Sequence, residues 1–246
     1  MRSILNIAAL MIIIGVLLFI SACKDEFLNT NIDFGFEYFP LTSGFWAEYR
    51  VDSTIYSSFL PDGKANRTSY LREEVADTFT DNTGRLAYTI KRFSRTNDTL
   101  PWQNLTPVVW YAVRDSNQAE RMEGELRFIK LIFPITENTT WNGNAYLDVE
   151  NDNLTSYKNW KYTCKNINTP KTIGGNSFAQ TTTILETDQE NLIDKVYSLA
   201  VYAKNIGKVY REQWVLNTET IDATTTWPDR AKTGFIVKET ILNYKK

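Results

Sequence analysis

FEYFPLTSGFWAEYRVDSTIY, residues 36–56, decides the fold class. Pro40 and Gly44 punctuate its approach. Beyond them Phe45, Ala47, Tyr49 and Val51 alternate with Trp46, Glu48, Arg50 and Asp52. An apolar residue at every second position marks a strand with one covered face; a helix would repeat at three or four. The same texture continues outward. SYLREEVADTFT (69–80) and RLAYTIKRFSRT (85–96) flank Asp81-Asn82-Thr83-Gly84, the spacing of a hairpin with a short glycine-containing loop. TPVVWYAVRD (106–115) reads as the next strand, turned by Asp115-Ser116-Asn117. MEGELRFIKLIFPI (122–135) reads as one further strand. Leu126, Phe128, Lys130 and Ile132 lie on one side and Ile129, Leu131 and Phe133 on the other, so both faces are covered.

WNGNAYLDV (141–149), YKNWKYTCKNI (157–167), SFAQTTTILET (177–187), KVYSLAVYAKN (195–205), GKVYREQWVLN (207–217) and TGFIVKETILNY (233–244) complete the series. β-branched and aromatic residues fill these segments, and Asn, Gly, Pro and Asp fill the gaps. One short helix candidate spans Asp188–Lys195. There is no strand–helix alternation, which argues against a parallel doubly wound sheet. The expectation is an all-β fold, a single antiparallel β-barrel or a strongly curved sheet or sandwich, over residues 38–246. An echo runs through it. Phe39-Pro40-Leu41 precedes Trp46, and Phe133-Pro134-Ile135 precedes Trp141. Duplication of a half-unit and independent recruitment of Pro and Trp both fit.

Upstream of the β segments the texture changes. Arg2 is followed by a nearly continuous apolar run, Ile4–Ile20, then by Ser21-Ala22-Cys23 and Lys24-Asp25-Glu26. A charged start, an apolar segment and a small-residue cleavage region are the parts of a secretory signal. The apolar run falls short of the ~20 residues that span a bilayer comfortably. LFISAC (18–23) resembles the bacterial lipobox, in which the cysteine is lipidated before cleavage. That resemblance implies a lipoprotein signal peptide over residues 1–22, acylation of Cys23 by palmitate-type chains and a lipidated tether over 23–37. Several acyl chains anchor far more firmly than one, since each buried CH₂ contributes ~0.8 kcal/mol. Lys24 stands where an aspartate would favour inner-membrane retention in enterobacterial lipoproteins. Lys24-Asp25-Glu26 is similar to the short charged export signal of Bacteroidota lipoproteins displayed on the outer face of the outer membrane.

YFPLTSGFWAEYRV (38–51), LIFPITENTTWNG (131–143) and YAKNIGKVYREQW (202–214) resemble a group of largely uncharacterised Bacteroidota lipoproteins. That group pairs a YxPLxxGxxW segment with a late Gly-x-Val strand; here Trp46 comes one residue early. The resemblance implies compartment and fold, and no activity. Gly44-Phe45-Trp46 is also similar to the GxW of lipocalins, whose tryptophan plugs the closed end of the barrel.

Composition removes whole classes of chemistry. There is no histidine. Ser-His-Asp and Cys-His nucleophile systems, His-ligated zinc and imidazole acid–base catalysis are therefore out of reach. The formal net charge is −2 and no basic run occurs, so nothing points to nucleic acid. With Cys23 lipidated, Cys164 has no intramolecular disulfide partner; alternation puts it on one strand face with Trp160 and Tyr162, as a buried thiol. Gly174-Gly175-Asn176-Ser177-Phe178-Ala179 approaches a nucleophile elbow but ends in Ala179, and reads as a turn. Asp148–Asn153 alternates carboxylates as calcium loops do. It lacks the glycine at the sixth position and the glutamate at the twelfth that an EF-hand needs. No metal site and no cofactor are expected.

Two functional classes remain. The first is a non-catalytic outer-membrane or cell-surface lipoprotein. Its partners would be the membrane, through Cys23, and a small apolar ligand or an envelope protein or glycan. Aromatics make up 13% of the chain, and Trp102, Trp110 and Trp227 fall at loop or strand ends where a ligand would stack. A closed barrel would offer such a ligand an apolar interior. The second class is a carboxylate-dependent glycan hydrolase on a β scaffold, which needs two carboxyls at a set separation. Glu73, Glu74, Glu123, Glu125 and Glu239 are its candidates.

Overall fold

Strand alternation becomes strand pairing along nearly the whole chain. The computed structural model describes residues 33–105, 109–219, 221 and 224–245. The signal peptide, Cys23, the Lys24–Glu26 triad and the tether through residue 32 lie outside the described residues.

The strands are β1 (Trp46–Tyr56), β2 (Lys64–Thr80), β3 (Leu86–Arg95), β4 (Gln103–Asn104), β5 (Trp110–Arg114), β6 (Gln118–Glu123) and β7 (Leu126–Ile132). They continue as β8 (Thr140–Trp141), β9 (Tyr162–Ile173), β10 (Asn176–Glu190), β11 (Asp194–Ala203), β12 (Gly207–Asn217) and β13 (Thr233–Lys245). Two 3₁₀ turns, Phe36–Tyr38 and Asp152–Tyr157, accompany them. All pairings are antiparallel, in the order β7-β6-β5-β3-β2-β1-β13-β12-β11-β10-β9-β8, with the short β4 beside β3. The first and last strands, β1 and β13, pair along their length and join two six-stranded meanders. The two echoing segments each open one of these halves, at β1 and at β8.

The sheet curls into a nearly closed twelve-stranded barrel. Glu123 on β6 and Arg211 on β12 are six strand steps apart, about 29 Å in a flat sheet at roughly 4.8 Å per strand. Their side chains approach to 3.8 Å. The remaining seam lies between β7 and β8. It is bridged where Ile129 N–H donates to Gly143 O (2.8 Å) and Trp141 Nε1–H donates to Ile129 O (2.9 Å). The seam is tight, because a Cβ on Gly143 would lie 2.4 Å from the Tyr162 ring.

Hairpin tips fall where the turn residues predict. Gly84 closes β2–β3 at φ 82°, and Gly174-Gly175 turn β9 into β10 at φ 59° and 81°. No side chain fits at position 174, where a Cβ would sit 2.1 Å from Ile241 O. The Gly174–Ala179 segment is thus a turn and the start of a strand.

Several expectations need correction. Residues 33–37, expected as tether, are packed into the β domain. Phe36 packs edge-on against Phe133, and Arg114 Nη1 donates to Phe36 O and Phe39 O at 2.9 Å. Polarity alone made 33–37 look like tether. MEGELRFIKLIF is two strands, because Gly124 at φ 67° turns β6 into β7. WNGNAYLDV leaves the sheet after Trp141, where Asn142 Oδ1 accepts from Asn144 N–H and nucleates a turn. Asp188–Lys195 is a hairpin tip, with Asn191 Oδ1 accepting from the Ile193 and Asp194 N–H groups. Trp46 does not act as a lipocalin-type plug: Phe45 enters the core, while Trp46 lies under the Arg72 guanidinium at 4.4 Å.

Candidate functional site at the barrel mouth

One end of the barrel is covered by the segment leading into β1. Asn205 N–H, in the β11–β12 turn, donates to Glu37 O (2.7 Å), and Lys204 pairs with Asp33 (2.5 Å). This places Phe39, Pro40 and Leu41 over the lumen beside Ile206 and Gly207. Beneath them is a cavity of about 80 Å³. Its upper wall is apolar, formed by Phe39, Leu41, Phe45, Val75, Ile90 and Trp110; its floor is charged.

The floor is one connected network. Glu73 on β2 accepts from Arg121 Nη2 (2.5 Å) and Arg92 Nε (3.2 Å), and lies 3.6 Å from Lys208 Nζ. Lys208 also pairs with Glu239 at 2.5 Å. Glu123 sits among Lys130 (3.4 Å), Arg121 (3.7 Å) and Arg211 (3.8 Å). Lys130 continues to Glu186 at 3.6 Å, and Glu186 accepts from Ser198 Oγ at 2.6 Å. Of these charges all but Arg92 line the cavity, which Glu74 lines as well. Tyr49 adds a hydroxyl that donates to Lys208 O (2.9 Å); burial, then Glu73, pushes its pKa well up.

Two of these charges reach the lumen through β-bulges. In the β6–β7 ladder Glu120 opposes Ile129 and Ala119 opposes Leu131, leaving Lys130 without a cross-strand partner. In the β10–β11 ladder Leu185 opposes Leu199 and Thr187 opposes Ser198, leaving Glu186 as the extra residue. A bulge re-aims one side chain, and here the two re-aimed chains meet as an ion pair. Lys130 is 4% exposed and Glu186 1%.

Electrostatics keep three carboxylates of the floor ionised. Burial alone would raise the carboxyls of Glu73, Glu123 and Glu239. At Glu73 the surrounding Arg121, Lys208 and Arg92 outweigh burial and hold it well below the usual range. Glu239 is lowered against burial by Lys208 and Arg211. Glu123, against burial, is brought to about 2 by Lys130, Arg211, Arg121 and Lys208.

Of the five candidate carboxylates, four line this cavity: Glu73, Glu74, Glu123 and Glu239. Glu74 also pairs with Arg72 (3.5 Å), whereas Glu125 is exposed in the β6–β7 turn. The three tryptophans are not brought together. Trp110 lines the cavity, with the Arg92 guanidinium 3.7 Å and that of Arg121 5.1 Å from its ring. Trp102 lies under Arg95 (4.2 Å). Trp227 lies under Arg230 (4.3 Å) in a separate groove of about 500 Å³ that also holds Tyr197 and Trp214. Cys164 is buried, 3.3 Å from Thr182 Oγ1, and burial raises its pKa.

The expected apolar lumen is not what the barrel encloses, since its centre is ionic and nearly filled. Arg121, Lys130, Glu186, Lys208 and Arg211 escaped the sequence reading. The one available signal was a charge inside an apolar run, as at Lys130 between Ile129 and Leu131.

No protein-family model and no curated protein matches the chain. Among solved structures it is similar to a candidate exported protein with a YmcC-like fold from Bacteroides fragilis. The identity is 10%, the match covers 85% of this chain and 98% of that one, and the TM-score is 0.36. It is also similar to a candidate lipoprotein from Parabacteroides distasonis, at 12% identity over 88% of this chain and 100% of that one, with a TM-score of 0.32.

Proposed function

We propose that this chain is a non-catalytic lipoprotein of the outer membrane, anchored through Cys23 and displayed on the cell surface, whose barrel mouth binds a small ligand. The leader and lipobox support the compartment. The observation that carries the binding reading is the cavity itself, where an apolar wall leads down to a charged floor at one end of the barrel. Trp110, one of the three expected ligand-stacking residues, stands on that wall.

A second reading draws support from Glu73, Glu123 and Glu239 sharing one cavity, as a glycan hydrolase would require. A glycosidase needs one carboxyl held protonated near neutral pH to donate to the leaving group. These three are pulled the other way by their cations. The arrangement therefore favours binding over hydrolysis.

Native mass spectrometry of the wild-type protein, released in detergent from its own envelope, tests the proposal. A reproducible bound mass that is lost in Trp110→Ala supports it. No bound mass, together with turnover of a glycan panel that Glu73→Gln abolishes, would replace it with the hydrolase.

A further inference from the structure

The outer wall of the barrel carries a groove at the end away from the mouth. Ser198 and Arg211 belong to the lumen network, so by alternation Tyr197 on β11 and Glu212 and Trp214 on β12 face outward. Tyr197 stands directly opposite Trp214 on one side and Asp188 of β10 on the other. Two residues nearer the hairpin tip, Lys195 stands opposite Glu190. From Lys195 the strand runs about 26 Å to Ala203 at the mouth.

Residues 224–232 of the β12–β13 connection pack over this surface. Trp227 and Ala231 join Tyr56, Leu216, Ile236 and Trp214 in a small apolar cluster. Arg230 ties the connection to the β10–β11 tip, donating to Asn191 O at 3.1 Å and pairing with Glu190 at 3.3 Å. That cluster explains how the connection is held. Tyr197 lies beyond it, half-buried, its ring edge-on to Trp214 at 5.7 Å. Between connection and sheet runs the groove of about 500 Å³, lined by Tyr197, Trp214 and Trp227. Small-molecule sites span ~300–1,000 Å³. Every charged side chain lining it is already engaged with one of opposite sign. Lys195 holds Asp188 at 2.6 Å and Glu190 at 3.1 Å, Arg230 holds Glu190, and Glu212 pairs at 3.0 Å with Lys238 from outside the lining. The groove therefore calls for neither a cation nor an anion. The Asp188 and Glu190 side chains are still 50% exposed, so they retain acceptor capacity toward the groove.

We infer that this groove binds a neutral saccharide of one or two sugar rings, lying against Tyr197 and Trp214 with its hydroxyls bonded to Asp188, Glu190 and Lys195. A sugar hydroxyl both donates and accepts, so it bonds a carboxylate or an ammonium and leaves their pairing intact. The C–H face of the ring covers aromatic surface that is otherwise half in water. A purely apolar ligand would bury the charged rim without giving it partners, which is unfavourable. The site is independent of the mouth cavity.

The test is a tryptophan-fluorescence titration of the wild-type protein, released from its envelope in a detergent without a sugar head. The probes are glucose, galactose, mannose, maltose, cellobiose and lactose. Sorbitol serves as the control for general solute effects, and choline chloride and sodium acetate as the charged controls. At least one saccharide should give a saturable change, half-complete at or below ~10 mM and insensitive to ionic strength. Tyr197→Leu keeps an apolar side chain and removes the ring. Asp188→Ala removes an acceptor and leaves Lys195 its bond to Glu190. Each should raise the half-point about tenfold. Both positions are partly exposed, so the thermal midpoint should stay near that of wild type. No saturable saccharide, a response matched by sorbitol, choline or acetate, or an unchanged half-point in either variant overturns the inference. So does an equal loss in Trp110→Ala, which would move the sugar to the mouth.

Discussion

Glu123→Gln is the perturbation that most directly weighs the ionic lumen. Glutamine keeps the shape and removes the charge among Lys130, Arg121 and Arg211. Folding lowers the Glu123 carboxyl from an ordinary 4.5 to about 2. At about 1.4 kcal/mol per pH unit this corresponds to about 3 kcal/mol. Removing one partner from a buried ion pair costs ~3–5 kcal/mol by mutational experience, so the two routes agree. The sign follows from linkage. A carboxyl lowered by folding contributes stability that is fully present above its unfolded value, and loses it as pH falls from about 5 toward 2. Urea unfolding of wild type and Glu123→Gln, followed by tryptophan fluorescence at a series of pH values, should show a gap of about 3 kcal/mol at pH 7. In thermal melts that gap is roughly 6–12 °C for a domain of this size. The gap should close toward acid, where wild type carries a neutral side chain too. A gap under about 0.5 kcal/mol at pH 7, the range of an ordinary surface change, or one that ignores pH, would refute the reasoning.

Four further outcomes are expected. Labelled palmitate should enter wild type and not Cys23→Ala; equal labelling would remove the anchor. Replacing Lys24, Asp25 and Glu26 by alanine should leave the protein protected from external protease on intact cells, and undiminished digestion would rule out the export signal. Gly143→Ala should destabilise by about 1–3 kcal/mol in urea unfolding, since its Cβ would sit 2.4 Å from the buried Tyr162 ring at the barrel seam. Cys164 should resist thiol reagents in the native protein and react on unfolding; modification at the rate of a free cysteine would contradict its burial and raised pKa.

Much of the scaffold was legible because strands declare themselves by a period of two. Phe45, Ala47 and Tyr49, assigned to one face from the sequence, are buried together. Asp81–Gly84 and Gly174-Gly175 close hairpins because their residues suit backbone that others avoid. What failed were places where one residue changed the local rule. Gly124 splits an apparently continuous strand, and nothing in its neighbours distinguishes it from a glycine tolerated within one. The bulges at Lys130 and Glu186 were invisible for a stricter reason. An extra residue in one strand is defined by its partner's register, and the partner strand lies elsewhere in the sequence.

Glu73, Glu123, Glu239 and Trp110 were named from the sequence, but their meeting inside the barrel was illegible because pattern reading equates inward with apolar. On β2 Leu71, Glu73 and Val75 share one face, and on β13 Glu239 shares its face with Ile241. Polarity would send Glu73 and Glu239 to solvent. Barrel width explains why they go inside instead. Lumen diameter grows with strand number, and about eight strands give an interior that side chains just fill. Twelve strands need longer side chains to meet across the middle, and arginine, lysine, glutamate and tyrosine have that reach. Once placed there, charges must be paired, which selects neighbours of opposite sign on strands far apart in the sheet. Glu73 drawing Arg121, Arg92 and Lys208 from three strands is this requirement met almost fully. Around Glu123 it is met loosely, and that is where the cavity lies.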